Sequence, residues 1–328
     1  MSKWLRTGCH AAIFVFGIVL ASTAVAAKWD MPVRSNQQNY FTQNIMQFAD
    51  DIREATDGQI DIVIHPEDSL IKQPRVMRAI RIDQVPIGEW FMSIHSNDQE
   101  IFGVDSIPFL ATSYKDNKKL LEAARPKLSS VLEERGIRLL FVVPWPPQSF
   151  YSQDKLSSVH DFQGVKFRAY NPITGRLAEL MGATPVTVQQ AEVSQAFSTG
   201  VIDAMITSPA TGVDTQAWDF ANYYTDVRAF IPWNIVAVNA QVFSDLDEDT
   251  QSAILRASED AERRGWELAP EETDTLIETL GEHGMDIEEP TDQLMSELKD
   301  IGETLLDEWK EKATPDEREI VEQYLVDK

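Results

Sequence analysis

Short apolar segments and amphipathic helical stretches alternate along most of this chain, and that alternation limits the fold more than any single motif does. From Phe41 the apolar positions Phe41, Ile45, Phe48, Ile52 and Ala55 form one stripe of a helix, with Asn36 or Asn39 as its cap. Asp57-Gly58 ends it. Ile60, Ile62 and Ile64 then alternate with polar residues, as in a half-buried strand stopped by Pro66. The order recurs as a helix over 74–82 with Pro74 in its first turn, an apolar segment over 85–92, a helix over 118–134 closed by Gly136, and a strand over 137–143. It continues as a strand over 165–170, a helix from Asn171-Pro172 to Gly182, a strand over 185–188, a short helix over 191–198, and strands over 201–206 and 230–238. Helices and strands at this spacing predict an α/β architecture.

The first 27 residues stand apart. Lys3 and Arg6 precede a 16-residue apolar run, Ala11 to Ala26, that ends in small residues, the pattern of a cleaved secretory signal with its site near Ala26/Ala27. The run is too short to span a bilayer, so no stable membrane insertion is expected. Cys9 lies in this segment and is the single cysteine of the 328 residues, which leaves a cleaved chain without a thiol and points to an envelope location.

Charge narrows the partners. With 53 acidic against 29 basic side chains the chain carries −24, so nucleic acid and anionic lipid are excluded as natural partners. The acidity is concentrated: residues 245–328 hold 28 of the acidic and 8 of the basic side chains. A buried stripe runs under them through Ile254, Ala257, Ala261, Trp266, Leu294, Leu298, Leu305 and Trp309, which makes the charge the solvated face of packed helices.

The signatures of nucleotide cradles, nucleophile elbows and zinc helices are absent, and the histidines stand alone in sequence. No cofactor or metal is expected. Polar side chains instead cluster at the ends of apolar strands, in "VVPWPPQSFY" (142–151), "GVKFRAYN" (164–171) and "DAMITSPATGVDT" (203–215), where open α/β sheets bind ligands. Arg168, beside Tyr170 and Asn171, has the geometry to fork one carboxylate, or else to form an internal salt bridge. Trp145, Phe150, Tyr151 and Trp233 are candidates for pocket walls or for core.

Those blocks, with "FADDIREATDGQIDIVIHPEDSL" and "FGVDSIPFLATS", carry a resemblance over nearly all of the chain after the signal. The chain resembles the solute-binding proteins of tripartite ATP-independent periplasmic (TRAP) transporters, of the C4-dicarboxylate-binding type. The resemblance implies two α/β lobes of the periplasmic-binding-protein fold joined by crossing strands and a long helix. By matching segments, lobe one covers 28–147 with 236–272 and lobe two covers 148–235 with 273–328. Pro270 falls inside the expected spanning helix and should kink or interrupt it. The family's "GxKxR" strand matches Gly164, Lys166 and Arg168, and so implies Arg168 as the carboxylate partner. Where some members have a second arginine before that strand, this chain has Gln148, and Thr207-Ser208 replaces an asparagine before Pro209. Fewer fixed charges then imply a monoanion, and Trp145 favours a hydrophobic or aromatic monocarboxylate. Glu89 should face the cleft from the first lobe, and Trp233 and Asn234 should join it. The implied role is capture of a small organic acid by hinge closure in the periplasm and delivery to the TRAP permease. The alternatives are the binding protein of an ATP-driven importer and a secreted enzyme acting on a small acid.

Overall fold

The computed structural model describes residues 26–328, so the expected signal segment lies outside the described residues except for its last two positions. The chain runs β1 (Ala27–Pro32), α1 (Tyr40–Ala55), β2 (Ile60–His65), α2 (Gln73–Arg81), β3 (Ile87–Phe91), α3 (Tyr114–Glu133), β4 (Ile137–Pro144) and β5 (Ser149–Ser152). It continues as β6 (Lys166–Ala169), α4 (Pro172–Leu180), β7 (Thr184–Thr187), α5 (Val193–Ser198), β8 (Ala204–Thr207), α6 (Pro209–Asp214), β9 (Tyr223–Thr225) and β10 (Trp233–Asn239). The last part is α7 (Ala240–Ser244), α8 (Glu248–Glu282), β11 (Asp286–Glu288), α9 (Asp292–Lys312) and α10 (Pro315–Asp327).

The local rules explain most of these elements. Asn39, not Asn36, caps α1 by accepting from the Phe41 backbone N–H at 2.9 Å, and Phe41, Ile45, Phe48 and Ile52 are all buried. Asn171 caps α4 with Pro172 in the first turn, as its sequence predicts. β10 is buried at every position because it is the middle strand of its sheet, which is why it reads as an unbroken apolar run.

The strands form two lobes. In the first, β1 pairs in parallel with β2 and runs alongside β3, and β3, β10 and β4 form an antiparallel sheet. The second holds a six-stranded sheet in the order β11-β9-β5-β8-β6-β7, with β6 parallel to both β7 and β8. Two strand extensions cross between them side by side. The Trp145 N–H donates to the Pro232 carbonyl at 2.8 Å, the Gln148 N–H donates to the Phe230 carbonyl at 2.9 Å, and the Gln148 carbonyl accepts from the Ala229 N–H at 2.9 Å.

The third crossing is α8, 35 residues and about 52 Å long at 1.5 Å per residue. Its Ile254, Ala257, Ala261 and Ala269 pack into the first lobe's core, and its Leu280 packs into a core of the second. α8 also closes the edge strand β4: Glu262 accepts from the Val142 N–H at 2.9 Å and the Trp266 indole donates to the Val142 carbonyl at 3.0 Å. The expected interruption at Pro270 does not occur, since α8 continues through it to Glu282. Proline has no N–H, so the Trp266 carbonyl loses its helical partner while packing on both sides holds the helix together. After α9, helix α10 packs on α3, and Trp309, Ala313, Val321 and Tyr324 belong to the core that α3 also builds. The acidic faces of α8 to α10 are solvated over a buried stripe, as their sequence implies.

Candidate functional site

Arg34 follows β1, Thr207 and Ser208 end and follow β8, Arg168 lies one residue before the end of β6, and Tyr170 follows it. All leave the C-terminal ends of strands in parallel pairs. They converge with Phe91, Trp145, Gln148 and Thr211 around a narrow cavity between the lobes.

Arg168 is 3% exposed. Its Nε donates to the Val188 carbonyl at 3.0 Å, its Nη1 is buried without a hydrogen-bond partner, and the Tyr170 ring lies 5.1 Å from its guanidinium carbon. No described carboxylate pairs with it, so the salt-bridge alternative is set aside. Burial first, and then the charge of Arg34, push its pKa down to about 9. A buried charged donor left unsatisfied costs on the order of 1–3 kcal/mol or more, which an anion seated beside it would recover.

Arg34 is the second cation of this cavity, one that the sequence reading of fewer fixed charges did not include. Its Nε donates to Gln190 Oε1 at 2.6 Å, its Nη2 lies 3.4 Å from Thr211 Oγ1, and the guanidinium sits over the rings of Trp145 at 4.8 Å and Phe91 at 5.4 Å. A buried relay stands behind it. The Trp145 indole donates to Asn234 Oδ1 at 2.5 Å, the Asn234 amide donates to Glu89 Oε1, and Glu89 Oε2 accepts from the Arg34 backbone N–H at 2.9 Å. Burial raises the Glu89 carboxyl to about 7 against the lowering effect of Arg34.

Of the residues named from sequence, Arg168, Gln148, Trp145, Tyr170, Thr207 and Ser208 line the cavity. Gln148 accepts from the Tyr170 hydroxyl at 2.9 Å. Glu89 and Asn234 do not line it: both are fully buried in the relay, because their strands β3 and β10 pair at this point. Asn171 is spent on capping α4 and on donating to Ser93 Oγ at 2.7 Å across the cleft. Trp233 is first-lobe core, its indole donating to Asn117 Oδ1 at 2.6 Å, and Phe150 and Tyr151 are second-lobe core.

The lobes meet around the cavity. Asn36 and Asn39 both donate to Asp214 at 3.0 Å, and Phe91 packs edge-on against Tyr170 at 5.3 Å. Phe91, Trp145, Gln148, Arg168, Thr207, Ser208 and Thr211 are all buried.

Residues 33–312 match the family model of the bacterial extracellular solute-binding proteins, family 7, known as DctP. The chain belongs to this family. It is 44% identical to DctP7 of Bordetella pertussis, an extracytoplasmic solute receptor binding pyroglutamic acid, with a TM-score of 0.90 over 91% of this chain and 99% of that one. A marine metagenome TRAP solute-binding protein specific for pyroglutamate is 37% identical, with a TM-score of 0.89 over 91% and 98% of the two chains. The C4-dicarboxylate-binding periplasmic protein DctP of Rhodobacter capsulatus is 23% identical over 237 residues, 70% of each chain.

This DctP-family chain thus shows the TRAP-receptor fold that its "GxKxR" block implies. Sequence reasoning missed Arg34, Phe91 and Thr211. A signal for Arg34 was present in "KWDMPVRSN", a basic residue just beyond a short strand, whereas Arg168 lies within its strand.

Proposed function

We propose that this protein is the periplasmic receptor of a TRAP transporter and captures a small cyclic monocarboxylate of the pyroglutamate type. The observation that carries the reading is the buried Arg168 guanidinium, with an unspent Nη1 donor and no carboxylate partner, facing the narrow cavity between the lobes. The ligand carboxylate lies on Arg168, its ring is held between Phe91, Trp145 and Tyr170, and Gln148, Thr207, Ser208 and Thr211 serve its neutral polar atoms. The likeness to two receptors whose ligand is pyroglutamate supports a compact polar ring in place of an aromatic one.

Capture proceeds by closure of the two lobes about the crossing strands and α8, and the closed form delivers the acid to the membrane permease. We assign 28–147 and 236–272 to the first lobe and 148–235 with 273 to about 305 to the second. The packing of α10 on α3 supports returning the last residues to the first lobe instead of the second. Among the described residues no helix is long and apolar enough to cross a membrane. β1 starts at Ala27, which fits release of a mature receptor by cleavage near Ala26/Ala27.

Calorimetry and thermal shift on residues 27–328 test this, using pyroglutamate, glutarate, succinate and benzoate, with native mass spectrometry of any copurified acid. Pyroglutamate should stabilise the protein by about 2.7 kcal/mol at a hundred times its Kd. No shift with pyroglutamate, or a stronger one with benzoate or a dicarboxylate, overturns the ligand assignment.

A further inference from the structure

The two cavity arginines live in opposite electrostatic settings. Arg168 has no carboxylate beside it. Arg34 is backed from three elements. Glu89 on β3 touches its backbone N–H at 2.9 Å. Asp68, whose N–H donates to the carbonyl of Val33 at 3.1 Å, lies behind it in the loop after β2, with one carboxylate oxygen buried and unpartnered. Asp214 on α6 accepts from the Gln190 amide at 3.3 Å, and the same Gln190 accepts from Arg34 Nε. None of the three forms an ion pair with the guanidinium, which donates instead to the neutral Gln190 and Thr211 while its charge is offset from behind. Glu67 and Asp68 in this loop have φ values of 57° and 54°, a conformation non-glycine residues adopt at a cost.

We infer that Glu89, together with Asp68 and Asp214, determines how many carboxylates the cleft accepts. These acids leave Arg168 as the one uncompensated cation and convert Arg34 into a donor for a neutral oxygen. A second carboxylate placed at Arg34 would face these half-buried and buried acids, where like charges repel more than in bulk water. The cleft therefore selects a monocarboxylate bearing a neutral acceptor, such as a lactam carbonyl, over a dicarboxylate of equal length. This deepens the reading above and rests on it for the position of the carboxylate at Arg168.

The test measures, at pH 8, the Kd ratio of glutarate to pyroglutamate, and of glutarate to cyclopentanecarboxylate, for the wild type, Glu89→Gln and Asp214→Asn, each confirmed folded by its melting curve. Both variants should shift the ratio toward glutarate by fivefold or more, Asp214→Asn doing so without touching the buried relay. Equal weakening of all acids, or an unchanged ratio in both variants, overturns the inference. If the wild type ignores pyroglutamate but binds cyclopentanecarboxylate, the ligand assignment falls and the second ratio still decides the role of the acids. Failure of every acid to bind overturns both.

Discussion

Arg34 and Arg168 reach one cavity from two different lobes, and each guanidinium lies over an aromatic face, Arg34 over Trp145 at 4.8 Å and Arg168 over Tyr170 at 5.1 Å. Two like charges in so small a space repel, and the ring faces return about 0.5–2 kcal/mol each. The rest of the deficit is the attraction for an anion. A site held this way is poised for a ligand that supplies the missing charge.

Replacing Arg168 by alanine should remove the ligand-induced thermal shift and weaken binding by about 2–5 kcal/mol, the cost of truncating one partner of a buried charge pair. The ligand-free protein should melt no lower than the wild type, since the change deletes an unsatisfied buried donor. Calorimetry and melting curves read the two effects separately. A retained shift would show that the carboxylate sits elsewhere.

Glu89 and Asp105 are both fully buried acids that burial raises to about 7. In such a case the folded chain holds a proton that the unfolded chain releases at lower pH. Its stabilising contribution is complete below about pH 4.5 for Glu89 and is lost as pH rises through about 7. Urea denaturation between pH 5 and 8 should therefore show stability falling, by on the order of 2–3 kcal/mol for Glu89 alone. Glu89→Gln should flatten that part of the slope and leave the part due to Asp105.

A methyl group at Gly212 would stand 2.1 Å from the hydroxyl of Tyr151, which is fully buried and donates to the Ser208 carbonyl at 3.1 Å. Gly212→Ala should cost about 1–3 kcal/mol in chemical denaturation. Because Ser208 and Thr211 sit on the same turn, ligand affinity should fall with it.

Pro270 lies within continuous helix, where proline costs up to about 3 kcal/mol relative to alanine. Pro270→Ala restores an N–H for the Trp266 carbonyl and should raise the melting temperature by a few degrees. A lower melting temperature would mean that the proline shapes α8 for its two lobes.

The elements whose reason is local were readable in sequence: the stripe of α1, the Asn171-Pro172 start of α4, and the buried run of β10. β1, β5, β9 and β11 are short strands whose identity comes from their partners in the sheet, and a period of two is not visible over three to six residues. The same division holds at the cavity. Arg168 announces itself through the pattern around it. Trp233 and Trp145 look alike in sequence, each beside a proline, and their fates separate only because Trp233 finds Asn117 inside the first lobe while Trp145 turns toward Asn234 and Arg34. Arg34 lies about 130 positions from Arg168, and no spacing rule joins them.

The rim contacts bear on timing. With Asn36 and Asn39 fastened to Asp214, and Asn171 to Ser93, the residues around Arg168 have almost no exposure. An acid held inside would depart only after these hydrogen bonds break, so its dwell time would belong to the rim and its selection to the interior. A membrane partner that pries at Asp214 or Ser93 would set the moment of handover without competing for the acid at all.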